Sequence, residues 1–210
     1  MAGAAEQEER KDSMSQTNNI LFFDTETTGK PKNYNALMTD VDNWPRVIQL
    51  AWAVYTPGGE LVEENCTLIK PNGWVVPKEK FWIENGHSTE RCANEGIPLE
   101  KVLLYFRESV QICDTMVAHN MQFDYNILGA EMIRTGMRMG KKLERVCTME
   151  AGVLITKIPG PKGYKWPKLE ELHRALHGGE AFEGAHDAGA DVKACVRCYF
   201  RMLELEHGIQ

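Results

Sequence analysis

The chain has 210 residues, 43% of them hydrophobic and 26% charged, and 30 acids against 24 Lys and Arg leave a net charge of −6. That length suits one domain with a real core, and no apolar run approaches the ~20 residues of a membrane-spanning helix. The acidic balance excludes a protein coated with basic surface. Six cysteines at irregular spacing, with no secretory signal core, describe no disulfide framework, so a cytoplasmic setting is expected.

Residues 1–18 are polar and charged and are expected to form a disordered tail, with Met14 as a second in-frame start; one domain is expected over 19–210. Ile20 to Gly29 reads I-L-F-F-D-T-E-T-T-G. Four apolar residues running into two acids describe a buried strand ending in Asp24 and Glu26. Positions two apart share a strand face, so the two carboxylates project side by side. At that range each raises the other's pKa unless a cation lies between them, and hard divalent ions such as Mg²⁺ or Mn²⁺ take such oxygen ligands.

Residues 30–45 are an irregular segment, read as a substrate-contacting lid or a surface loop. Val47–Tyr55 and Glu60–Ile69 are strands joined by Pro57-Gly58-Gly59, the chemistry of an antiparallel hairpin. Trp74–Gly96 reads as one short helix and a loop. Pro98 opens a helix with Val102, Leu103, Phe106 and Val110 on one face. Thr115–Ala118 is a short strand leading to His119-Asn120. A helix follows Phe123, with Asp124 in its first turn, and closes at Gly136. Leu143–Cys147 is a strand, Thr148–Ile155 a short helix, Ile158–Pro167 a loop and Lys168–Leu176 a helix. The last helix, Asp187–Glu206, is preceded by His186 and carries Asp191 in its early part. Cys195-x-x-Cys198 falls within it without a second pair, so zinc is not expected there. Five strands with helices interleaved after the third describe an α/β protein with a mixed sheet.

Arg134 to Lys168 holds nine Lys or Arg and two acids, a local excess of +7 that suits either a phosphate track or a solvated face. Trp82 and Trp166 are candidates to stack on bases, and Trp52 is expected in the core.

Four carboxylates and one histidine thus stand at structured boundaries. F-D-T-E-T-T-G (Asp24, Glu26), H-N-M-Q-F-D (ending at Asp124) and H-D-A-G-A-D (His186, Asp191) occur in the order of the three motifs of the DEDDh exonucleases, which this chain resembles. That superfamily includes proofreading exonuclease subunits, ribonuclease T and oligoribonuclease, and the first motif reads closest to the proofreading type. The resemblance covers nearly all of the chain after residue 18. It implies a ribonuclease H-like fold with a five-stranded mixed sheet flanked by helices.

The resemblance also implies a metal-dependent 3′→5′ exonuclease releasing 5′-mononucleotides from single-stranded DNA or RNA, DNA favoured. Asp24 would bridge two Mg²⁺ or Mn²⁺ ions, with Glu26 and Asp191 on one and Asp124 on the other. His186 would take the proton from the attacking water, work that an imidazole suits near neutral pH. Thr27, Asn120 and His87 are the expected substrate contacts; His87 lies where relatives carry an Ile-His-Gly-Ile-Thr-like sequence. His119 is expected to be structural. A polymerase or repair partner, and roles in proofreading or DNA repair, are compatible with the resemblance, although no polymerase-binding tail is evident. Oligomeric state is left open. The alternatives are an oligoribonuclease-like enzyme trimming short RNA and a non-catalytic adaptor that binds nucleic acid or a polymerase.

Overall fold

The computed structural model describes residues 18–208, so the expected tail at 1–18 lies outside the described residues apart from Asn18. The chain runs β1 (Asn19–Thr27), β2 (Val47–Tyr55), β3 (Leu61–Leu68), α1 (Lys80–Glu84), α2 (Thr89–Glu95), α3 (Leu99–Gln111), β4 (Cys113–Ala118), α4 (Met121–Arg134) and β5 (Glu144–Cys147). It continues through α5 (Thr148–Ala151), α6 (Val153–Thr156), β6 (Pro159–Gly160), β7 (Gly163–Tyr164), α7 (Leu169–Leu176) and α8 (Ala188–Glu206). Among the described residues no helix is long and apolar enough to cross a membrane.

The main sheet has five strands in the order β3-β2-β1-β4-β5, the mixed α/β architecture expected from the sequence. β2 is antiparallel to β1 and β3, whereas β4 is parallel to β1 and β5. Side-chain alternation sorts the central strand between two cores. Leu21 and Phe23 join Trp52 and Phe106 under α3 and α4, while Ile20 and Phe22 join Ala51, Ala53, Val192 and Cys195 under α8. Trp52 is 1% exposed, with its indole N–H on Ser109 Oγ at 2.8 Å, in the core as expected.

One register detail creates the site. β1 pairs with β2 as far as Thr27, but its pairing with β4 ends at Phe22. The last five residues of β1 therefore have a neighbour on one side only, and the other side opens at the carboxyl ends of β1, β4 and β5. Crevices at the carboxyl ends of parallel strands are where ligands bind in α/β sheets.

The structure corrects several local readings. The acids lie within β1, which extends to Thr27, instead of at its end. Residues 74–96 form two short helices, the second capped by Ser88 Oγ accepting from the Arg91 N–H. The helix expected after Phe123 begins at Met121, because Asn120 takes a left-handed conformation (φ 78°) and turns the chain early. The helix expected over 148–155 is broken in two at Gly152, where a Cβ would meet Leu172 Cδ1 at 2.7 Å, so α7 packs against bare backbone. The expected loop at 158–167 holds the β6–β7 hairpin.

Residues 30–45 are pinned along α4. Asn43 exchanges hydrogen bonds with the backbone of Asn33, Trp44 is buried, and Arg134 Nη2 donates to the Trp44 carbonyl at 2.6 Å. Met38 lies over Gly129, which leaves no room for a side chain there. These contacts anchor the segment, although Tyr34 and Leu37 stay exposed, and of its residues only Lys30 lines the crevice.

Candidate active site

β1 presents Asp24 and Glu26 on its α8 face, opposite Ala51 and Gln49 of β2. Thr25 points the other way and fixes the third acid. Its hydroxyl and amide donate to Asp124 Oδ1 at 2.6 and 3.2 Å, and Asp124 is only 2% exposed in the first turn of α4. The fourth acid comes from α8, whose start is clamped to the sheet by Gln49. Gln49 Nε2 donates to Asp187 Oδ2 at 2.9 Å, and Gln49 Oε1 accepts from the Ala188 N–H at 3.1 Å. Asp187 also caps the helix through the Ala190 N–H, a structural task in keeping with the absence of any site role in the sequence reading.

The turn before α8 delivers the histidine. His186 is exposed in a left-handed conformation (φ 71°), and its amide donates to Asp191 Oδ2 at 3.1 Å. One oxygen each of Glu26 and Asp191 and one His186 ring nitrogen all lie within 4.8 Å of one another. Asp24, Glu26, Asp124, Asp191 and His186 thereby line one groove of about 560 Å³, together with Asn120. Trp166, 64% exposed, also lines the groove, as do Phe123, Lys30 and Lys168.

The electrostatics describe a site short of positive charge. Burial, then the Asp124, Asp191 and Glu26 carboxylates, hold Asp24 well above the usual carboxylate range. Burial and then Asp191 raise Glu26 to about 8. Burial raises Asp124 to about 7 against the opposing Thr25 hydrogen bonds, and raises Asp191 to about 7 against the His186 amide. A cluster of oxygen donors with one imidazole, in no ion pair with a Lys or Arg among the described residues, fits a hard divalent ion.

These shifts set a pH dependence for the metal-free protein. Carboxyls raised in the fold favour the native state while protonated, so their stabilisation is complete below the unfolded values of 4.5 for Glu26 and 3.8 for Asp124 and Asp191 and fades as pH rises through about 7 to 8. The melting temperature without metal is therefore expected to fall from pH 6 to pH 8.5. Mg²⁺ or Mn²⁺ should raise it more at pH 8 than at pH 6, and Glu26→Gln should flatten the metal-free slope. Differential scanning fluorimetry with and without EDTA reads all three. A flat profile, or no metal effect at pH 8, would remove the ion from the reading.

Two expected substrate contacts lie elsewhere. Thr27 is buried, its hydroxyl donating to the Gly29 carbonyl at 2.7 Å, because the bulge after Glu26 turns it into the loop. His87 is 2% exposed behind the site, with Nε2 3.4 Å from the His186 carbonyl; burial lowers its pKa, and Nδ1 has no partner among the described residues. His119 bonds Thr148 Oγ1 and the Pro167 carbonyl through its two ring nitrogens, and burial lowers its pKa to about 4. The Trp82 indole donates to the Thr27 carbonyl, and Phe81 beside it sets its ring edge-on to His186 with centroids 5.1 Å apart. Thr25, Gln49 and Phe81 were absent from the sequence-based candidates. A signal existed for two of them: Thr25 alternates with the acids, and Gln49 is the one polar residue in V-I-Q-L-A-W-A-V-Y.

No family model matches the chain, and no curated protein matches it in sequence. Solved structures do match in fold. E. coli exonuclease I in complex with a dT13 oligonucleotide superposes with a TM-score of 0.70 at 17% identity over 91% of this chain and 42% of that one. The zinc-ion-bound form of the E. coli exonuclease I–single-stranded DNA complex gives 0.69 at 19% identity, over 91% and 41%. Exonuclease I from Methylocaldum szegediense gives 0.68 at 20% identity, over 90% and 41%. The chain thus spans about 42% of the length of these exonucleases, and at such identities the likeness is one of fold.

Proposed function

We propose that this protein is a DEDDh-type 3′→5′ exonuclease that shortens single-stranded nucleic acid, DNA in preference to RNA, and releases 5′-mononucleotides. The observation that carries the proposal is the convergence of Asp24, Glu26, Asp124, Asp191 and His186 on one groove from three separate chain segments. Binding of dT13 and single-stranded DNA by proteins of the same fold supports a single-stranded DNA substrate.

In this reading the four carboxylates would hold two divalent ions, Mg²⁺ or Mn²⁺. When bound, such ions supply charge stabilisation to the attacking and leaving oxygens of an in-line displacement. The protein's own groups do the rest. His186 accepts the proton of the attacking water, from a turn held by the Asp191 carboxylate. Trp166 and Phe123 offer ring faces to bases, and Lys30 and Lys168 offer charge to phosphates.

The test is a gel assay on DNA and RNA strands of the same sequence, labelled at the 5′ end, with Mg²⁺ or Mn²⁺ and an EDTA control. A ladder shortening from the 3′ end, faster on DNA and lost in EDTA, is the expected result. Faster shortening of RNA would favour the oligoribonuclease-like alternative, and no cleavage of either strand by folded protein would leave only a binding role.

A further inference from the structure

We infer that the surface between the first turns of α4 and the edge strand β5 is a second subsite, which holds the single strand on the 5′ side of the nucleotides in the active groove. The inference rests on the exonuclease reading. A cavity of about 500 Å³ lies there, with Gln122, Tyr125 and Asn126 of α4 facing Lys142 and Arg145.

It adjoins the groove through shared walls. Asn120 and Phe123 face the groove while their neighbours Met121 and Gln122 face the cavity, and Met149 and Glu150 of α5 divide in the same way. A strand leaving the groove past this helix turn meets the cavity next.

Its chemistry suits a nucleic-acid backbone with splayed bases. The Arg145 guanidinium lies 4.4 Å from the centroid of the Tyr125 ring, making an aromatic and cationic stacking platform. Lys142 and Arg145 are exposed, and among the described residues neither forms an ion pair. Lys141 is already committed to Asp114 at 2.7 Å. Two acids also border the cavity, Glu144 and Glu150. Glu144 shares its strand face with Val146, which packs in the core under α8, and it acts on the Tyr199 hydroxyl there. That face is opposite to the one bearing Arg145, so Glu144 borders the cavity with its side chain turned toward α8, and Glu150 borders it as well. The contact is thus sequence-tolerant, salt-sensitive and dependent on strand length.

The test compares binding of 5′-fluorescein-labelled dT20 and dT3 by anisotropy, in an Asp24→Asn background that prevents hydrolysis. Lys142→Gln with Arg145→Gln is expected to weaken dT20 about tenfold at 0.1 M salt. Loss of two phosphate contacts should lower the slope of log affinity against log salt by about 1.4, with dT3 unchanged. Tyr125→Leu, which leaves both charges, should weaken dT20 without altering the slope, and it carries the test if the double variant does not fold. Unchanged dT20 binding, or equal weakening of dT3 and dT20, overturns the inference. Failure of the wild-type protein to shorten any strand would instead overturn the exonuclease reading, since length-dependent binding is measured apart from cleavage.

Discussion

Asp24→Asn is expected to lower strand shortening at least about 10⁴-fold, a loss of about 5.4 kcal/mol of transition-state stabilisation, while the protein stays folded. Asp24 stands at the centre of the cluster: Asp124, Asp191, Glu26 and Asp187 all act on it. Asparagine keeps the shape and one oxygen but removes the charge that a divalent ion would neutralise, and metal-ion catalysis is worth several kcal/mol. The substitution should also stabilise the metal-free protein at pH 8, because a neutral amide avoids the cost that burial and the neighbouring carboxylates impose on the Asp24 carboxyl. Single-turnover kinetics and melting curves on one preparation read both effects. A variant that keeps more than about 1% of the wild-type rate would sink the assignment of Asp24, and a variant that loses stability without metal would refute the electrostatic picture behind it.

The sequence carried the acid cluster because its logic is local. Alternation in β1 puts Asp24 and Glu26 on one face, and the helix pattern places Asp124 and Asp191 near helix starts; the five strands likewise show in the apolar runs. What it did not carry depends on contacts distant in the chain. Thr25 holds Asp124 across 99 residues of sequence, and Gln49 holds Asp187 across 138. A lone polar residue in a strand signals that it has a partner without naming one. The same limit explains Thr27 and His87: the resemblance placed both near the substrate, but a bulge turns the first inward, and the second is buried under the turn that carries His186. Local breaks were missed for a related reason. The division of the helix at Gly152 answers to Leu172, and the early start of α4 answers to a left-handed Asn120, neither of which periodicity reports.

His186 yields the second large effect, and its backbone dictates the variant to use. At φ 71° an alanine would be strained, by about 1–2 kcal/mol in the left-handed region, whereas glycine adopts that conformation freely. His186→Gly therefore removes the imidazole and leaves the turn, with the residue-186 amide still available to Asp191. Loss of a general base lowers the rate about 10²- to 10⁴-fold, and strand affinity should change little because Trp166, Phe123, Lys30 and Lys168 remain. The side chain is exposed at the groove, so free imidazole can reach the vacated space and should restore part of the activity. A merely structural histidine would show no such rescue. Phe81 supplies the complementary control: its ring edge meets His186 but lines no part of the groove, so Phe81→Leu should let the imidazole move and lower the rate less than His186→Gly does. If His186→Gly is as active as wild type, or is inactive and unmoved by imidazole while still binding strand, the proton is taken by another group and His186 holds the turn alone.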